Sequence, residues 1–257
     1  MKSKTAYFKI SAILAFMFFQ FNAFATWSII LLDPATKTIG VAGASCTGSV
    51  FGVAKVITGV GAMTAQAYQD EEIVGKGLNL MRKGATPNEI LQLLKDPSID
   101  KQLYLRQYGI ATFKDYNSPV TFTGDSILYF PYAAAISSPG ICVQGNTLAD
   151  SSLVREVYKA VKEARNKGLS MEESLILALE VGSKLGGDRR CGSQTAQSAF
   201  IQIVKPDDHY YSYLSLSIAC LNKGGKNPIK VLRTEYDKIK DHLSDNMNTE
   251  IIIVPKE

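Results

Sequence analysis

The sequence predicts an α+β fold in which sheets pack on each other and helices cover the outside, in four layers. Three observations predict it. Strand-like and helix-like runs come in blocks: strands, helices, strands, helices, strands and a last helix. No internal repeat, low-complexity tract or linker rich in Pro, Gly or Ser divides the chain, which favours one domain. Its 257 residues, or 232 once the first 25 are set aside, suffice for one sizeable core.

Those first residues read as a secretory signal. Lys2, Lys4 and Lys9 form a positive start, Ile10 to Phe21 a short apolar run, and Ala23-Phe24-Ala25 the small-residue cleavage pattern. The apolar run is shorter than the roughly 20 residues a membrane span needs, so no stable span is expected after cleavage. Cleavage after Ala25 leaves Thr26 first and places the protein in the periplasm or the medium. The expected organisation is a signal over 1–25, one domain over 26–245 and a polar tail over 246–257.

The mature elements follow in order. TWSIILLD and IGVAGAS read as a hairpin joined by turn chemistry at Asp33-Pro34, and the small residues Gly40, Ala42, Gly43 and Ala44 imply close packing. KVITGVGAMTAQA reads as a strand entering a helix that continues over 71–83. Thr86-Pro87-Asn88-Glu89 carries a capping-box signature for a second helix ending before Pro97. QYGIATF, PVTFTG and ICVQGN are strand-like. Helices are expected over Asp150–Asn166 and from Ser170 to Leu185, with Glu173 as capping partner and Gly168 between them. SAFIQIVK and YYSYLSLSIAC flank a turn at PDDH, and an amphipathic helix spans Ile229–Leu243.

Charge excludes some partners. The leader holds three of the 28 Lys and Arg and no acid, so its loss lowers the formal net charge from +4 to +1. No basic run interleaved with aromatics points to nucleic acid. The four cysteines, Cys46, Cys142, Cys191 and Cys220, fit no zinc spacing, and an even number in an exported chain suits disulfides. No metal or cofactor is expected.

A threonine at a free N-terminus has unusual chemistry. Its α-amino group, with a pKa of roughly 7.7–8.0, can take the proton of its own hydroxyl, so one residue supplies base and nucleophile. Such a site needs oxyanion donors and groups that hold the amine, but no histidine. The two histidines, His209 and His242, fall in a turn and near a helix end.

TWSIILLDPATKTIGVAGAS, GVGAMTAQA, VQGNTLAD and GGDRRCGSQTA, in this order, resemble the domain-of-unknown-function family 1028 of the N-terminal nucleophile (Ntn) hydrolase superfamily. The resemblance runs from Thr26 to about Leu243. It implies a four-layer αββα sandwich of Ntn-hydrolase-like type and amide cleavage through an acyl-enzyme. Carried over, Thr26 matches the threonine start, with Ser28 two residues on, and Ser45 closes the second strand as support for the nucleophile. Asn146 offers an oxyanion donor and Asp188 a partner for the ammonium, while Arg189, Gln144 and Gln194 fall to substrate binding. Two departures put substrate contacts in doubt: TAQA replaces the family's frequent ATQA at Thr64 to Ala67, and Cys191-Gly192-Ser193 lengthens the loop after GGDRR.

Plainer readings stand beside these. Gly186 to Arg190 can be a structural turn with an internal ion pair, Asn146 a cap for the following helix, and Ser45 an ordinary buried hydroxyl. Cys46 and Cys191 flank the site loops and are the favoured disulfide pair. The expected activity is an exported Ntn-type amidohydrolase acting on a small-molecule or peptidic amide, with an anionic substrate and a homo-oligomer left open. The alternative is a non-catalytic binding module on the same fold.

Overall fold

β1 (Thr26–Asp33) and β2 (Thr38–Ser45) form the expected hairpin, with Asp33 opposite Thr38 and Thr26 opposite Ser45. The Asp33 carboxylate closes the turn by accepting the Ala35 amide at 2.9 Å. The structure, a computed structural model, describes residues 26–208, 212–243 and 249–254. The predicted leader, His209, Tyr210 and Tyr211 lie outside them.

β3 (Ala54–Ile57) and β4 (Gly61–Ala67) pair antiparallel across a turn at Gly59, whose φ of 70° suits glycine. The stretch expected to be one strand entering a helix is therefore a hairpin. α1 (Glu71–Arg82) starts only after Asp70, whose side chain accepts the amides of Glu72 and Ile73. α2 (Pro87–Leu94) carries the predicted capping box between Thr86 and Glu89. Next come β5 (Arg106–Thr112), β6 (Val120–Thr123), the single turn α3 (Asp125–Leu128), β7 (Ala134–Ser138) and β8 (Ile141–Asn146). α4 (Leu153–Asn166) and α5 (Met171–Lys184) agree with the expected helices, and β9 (Ser198–Val204), β10 (Leu214–Ile218), α6 (Pro228–Ile239) and β11 (Thr249–Ile253) complete the chain. The last helix ends earlier than expected, passing into a 3₁₀ turn at Lys240–His242.

The strands form two sheets: seven in the order β11-β10-β9-β2-β1-β8-β7, and four in the order β3-β4-β5-β6. β1 and β8 of the first face β4 and β5 of the second. α4, α5 and α6 lie against the seven-stranded sheet, and α1 and α2 against the four-stranded one. The fold is thus mixed α+β with two facing sheets and helices outside. The tail departs from expectation. Thr249–Ile253 pairs parallel to β10, with Ile251 and Ile253 against the core and Ile252 exposed, so an alternating run lies where a polar tail was expected.

β1 has two different faces. Trp27, Ile29 and Leu31 join the large apolar core under α4 and α5, while Ile30 and Leu32 join a smaller one facing the other sheet. By the two-residue period of a strand, Thr26 and Ser28 share the face of Ile30 and Leu32. Trp27 anchors the helix side tightly. A Cβ added at Gly187 (φ 55°) would stand 2.5 Å from the Thr195 carbonyl and 2.8 Å from the indole, so only glycine fits that turn.

Candidate active site

Sheet register assembles the site. Thr26 on β1 stands opposite Ser45 on β2 and Asn146 on β8, and Ser45 in turn opposite Ser198 on β9. Residues directly opposite in register project to the same side, so these four side chains form one row across four strands, on the face turned toward the second sheet. All four are buried, Thr26 with 2% of its surface exposed in the full-length chain. The Thr47 hydroxyl lies 3.1 Å from Ser45 Oγ, whereas Ser198 Oγ has no hydrogen-bond partner among the described residues.

Beneath the row lies a buried amide network. Gln66 Nε2 donates to the Thr26 carbonyl at 3.2 Å and to Gln107 Oε1 at 2.7 Å, and its own Oε1 accepts from Ser28 Oγ at 2.6 Å. Asn146 Nδ2 donates to the same Gln107 oxygen at 3.1 Å. Gln107 Nε2 reaches the Gly145 carbonyl at 3.1 Å and Thr123 Oγ1 at 3.0 Å. Gln144 Nε2 donates to Ser28 Oγ at 2.6 Å and Thr64 Oγ1 at 2.7 Å. Thr64 thus sits inside the network. These bonds tie β1 and β8 to β4 and β5 directly below the nucleophile candidate.

Asp188 arrives from the loop after α5. Its Oδ2 accepts the Cys46 amide at 2.7 Å, fixing the end of β2 just past Ser45, and also Arg190 Nη2 at 2.8 Å. The side chain caps the following 3₁₀ turn at the Arg190 amide, 3.1 Å away. This is the internal ion pair of the plainer reading, formed with Arg190. Cys46 and Cys191 are disulfide-bonded with Cα atoms 5.6 Å apart, the expected pair, and they staple the same loop to β2.

The structure therefore brings Thr26, Ser45 and Asn146 into one row and places Asp188 beside it. The other three assigned residues lie apart from the row. Gln144 is fully buried between the sheets. Gln194 clamps another loop, bonding the Asn222 carbonyl at 2.9 Å and the Gly224 amide at 2.8 Å. Arg189 is exposed, with its amide on the Thr147 carbonyl at 3.2 Å. Asn146 does not cap the next helix: it belongs to β8, and Asp150 closes that turn by accepting the Ser152 amide at 2.6 Å.

A cleft of about 160 Å³ opens beside Thr26, between the β2–β3 segment and the end of β4. Thr47, Ser49, Gln66 and Gln69 form its polar part together with Thr26. Arg106 braces one wall: buried, it holds Asp100 through Nε at 2.9 Å and Nη2 at 3.1 Å, and bonds the Tyr68 carbonyl through Nη1. Burial alone would lower the guanidinium pKa, but the bond to and charge of Asp100 outweigh it and raise it. Sequence reasoning missed Gln66, Gln107, Thr47 and Arg106. Their one signal was polar residues inside otherwise apolar strand runs, as in AMTAQA and RQYGIAT.

A family model described as a family of unknown function (DUF1028) matches residues 26–229. The chain belongs to the DUF1028 family. A crystal structure of a Silicibacter pomeroyi protein, itself assigned to DUF1028, matches with a TM-score of 0.68 and 24% identity, over 84% of this chain and 89% of that one. At that identity the likeness speaks to the fold. No curated protein matches. Among the described residues of this DUF1028 protein, no three His, Cys, Asp or Glu side chains are grouped to hold a metal, and no helix is long and apolar enough to cross a membrane.

Proposed function

We propose that this protein is an exported N-terminal-nucleophile amidohydrolase that forms an acyl-enzyme on Thr26. The observation that carries the reading is the row Ser45–Thr26–Asn146 across three adjacent strands, at the rim of a cleft. Two facing sheets with outer helices and a hairpin that starts at Thr26 support an Ntn-type αββα sandwich. The family match begins at Thr26, the residue that leader removal would free. The Cys46–Cys191 disulfide suits an oxidising compartment and so supports export.

In this reading the freed α-amine takes the Thr26 hydroxyl proton as Oγ attacks the amide carbonyl. The tetrahedral oxyanion forms, the amine leaves with that proton, and water then releases the acyl group. Asn146 Nδ2 spends one hydrogen on Gln107 and keeps a second for the oxyanion. Ser45 and Thr47 set the nucleophile's surroundings. Asp188 is a positioning residue: its carboxylate is occupied by the Cys46 amide and Arg190, and it acts by holding the end of β2. That occupancy is also what favours the second reading, a binding module whose polar groups serve the fold alone.

The test is intact mass after treatment with a β-lactone, which acylates an N-terminal threonine by ring opening. The mature chain starting at Thr26 is expected to gain one lactone mass, and Thr26→Ser to retain part of the rate. The Met-extended chain and Thr26→Ala should gain none while remaining folded. Equal labelling of all four would reject the mechanism.

A further inference from the structure

We propose that the cleft beside Thr26 is a subsite for an uncharged, apolar acyl side chain of about the size of leucine or phenylalanine, with Phe51 as the residue that sets this preference. The inference rests on the Thr26 reading for its chemistry, since it concerns which acyl group is presented to that hydroxyl.

Size comes first. At about 160 Å³ the cleft lies well below the ~300–1,000 Å³ of sites that enclose a drug-sized molecule, so it holds one side chain of a longer substrate. Charge comes second. No lining side chain is ionisable, and the amide nitrogens of the two lining glutamines are engaged within the protein. Gln66 is spent on Thr26, Ser28 and Gln107, and Gln69 donates to Glu71 at 2.6 Å. Lys55, the nearby cation, pairs with the same Glu71 at 3.3 Å. Apart from the Thr26 α-amine at the rim, an anionic group entering here meets no lining cationic side chain and a carboxylate behind Gln69, so burying it would be costly.

The remaining surface is apolar. Val50, Val53 and Ala67 form buried walls, and Phe51 stands over them 44% exposed. Its ring meets buried Phe200 edge-on, with centroids 5.6 Å apart at 84°. Phe200 belongs to the apolar core between the sheets, so Phe51 is anchored on one side and offers its other surface to the cleft. The half of Phe51 that its packing on Phe200 leaves exposed faces the mouth of the cleft, where a ligand side chain would cover it.

The experiment uses the mature chain and three β-lactones differing only in side chain: isobutyl, carboxymethyl and aminobutyl. In each, Thr26 Oγ bonds to the carbonyl carbon, the ring C–O bond breaks, and the released alkoxide takes the proton the α-amine removed. The isobutyl lactone is expected to acylate at least about tenfold faster than either charged one, the range one apolar side chain commands in a fitted pocket. Phe51→Ala should shrink that ratio, and Phe51→Lys should raise the carboxymethyl rate. Equal rates, or a carboxymethyl preference in the unaltered chain, would overturn the inference while leaving the nucleophile intact. If no lactone reacts, binding decides: N-acetyl-leucinamide, but not N-acetyl-aspartate, should shift the Phe51 ring resonances. Absence of that shift ends the inference, and its presence without acylation ends only the proposed reaction.

Discussion

The space between the two sheets is polar at one end and apolar at the other. At the Thr26 end, Ser28, Thr64, Gln66, Gln107, Gln144 and Asn146 fill it with side-chain hydrogen bonds. At the Asp33 end, Ile30, Leu32, Ile39, Val41, Ala62 and Val204 fill it with hydrocarbon. An apolar filling would have sufficed for stability at both ends, since buried amides add little net stability and are costly when unpaired. The polar end holds instead a fixed geometry under Thr26, in which each amide has few permitted orientations. It is also the end that carries the Cys46–Cys191 staple.

The largest expected effect comes from cutting that staple. The disulfide spans 145 residues, and replacing both cysteines by Ala should cost about 3–5 kcal/mol in denaturant unfolding. Hydrogen exchange should rise most at Cys46 and along Asp188–Thr195, because that loop loses its tether to β2. An equal rise at the Asp33 end would break the distinction between the two ends.

Next in size is a direct comparison of the fillings. Gln107→Leu preserves bulk but orphans Gln66, Asn146 and the Gly145 carbonyl, and should cost about 2–4 kcal/mol. Ile30→Val at the apolar end removes one methylene and should cost about 0.5–1.5 kcal/mol. A Gln107→Leu loss no greater than that of Ile30→Val would show that the network does not specify the polar end.

The two ends also differ in how far the sequence revealed them. The apolar periodicity of TWSIILLD and the caps at Thr86 and Ser170 made strands and helices legible, because local chemistry decides them. The row Ser45–Thr26–Asn146 was legible as well, since each residue ends its strand. The glutamine network was not: Gln66 and Gln107 meet only when β4 pairs with β5 and that sheet stacks on β1, and no local rule encodes such stacking. The hairpin at Ala54–Ala67 was misread because small residues such as Gly61, Ala62 and Ala65 suit either state, and pairing with β5 decides it. Which of Arg189 and Arg190 makes the internal ion pair was not legible either, since adjacent arginines look alike until the folded loop turns Arg190 toward Asp188 and leaves Arg189 exposed.

The smallest effect sharpens the apolar end through its buried thiol. Cys142 is fully buried there, and burial pushes its thiol from an ordinary value near 9 up to about 12. Between these values the unfolded chain ionises its thiol and the native chain does not, so the unfolded state binds fewer protons. Stability must therefore fall as pH rises through that window, by about 1 kcal/mol between pH 8 and 10 from this group. Cys142→Val should remove that part of the slope and leave the rest of the pH profile unchanged. The same burial separates the two free thiols kinetically. Native protein at pH 8.5 should lose the exposed Cys220 to iodoacetamide quickly, with Cys142 reacting only as fast as the molecule opens. Mass spectrometry of the alkylated peptides over time checks both. Rapid modification of Cys142 would mean that the apolar end opens as readily as the cleft beside Thr26, and the contrast between the two ends would fail.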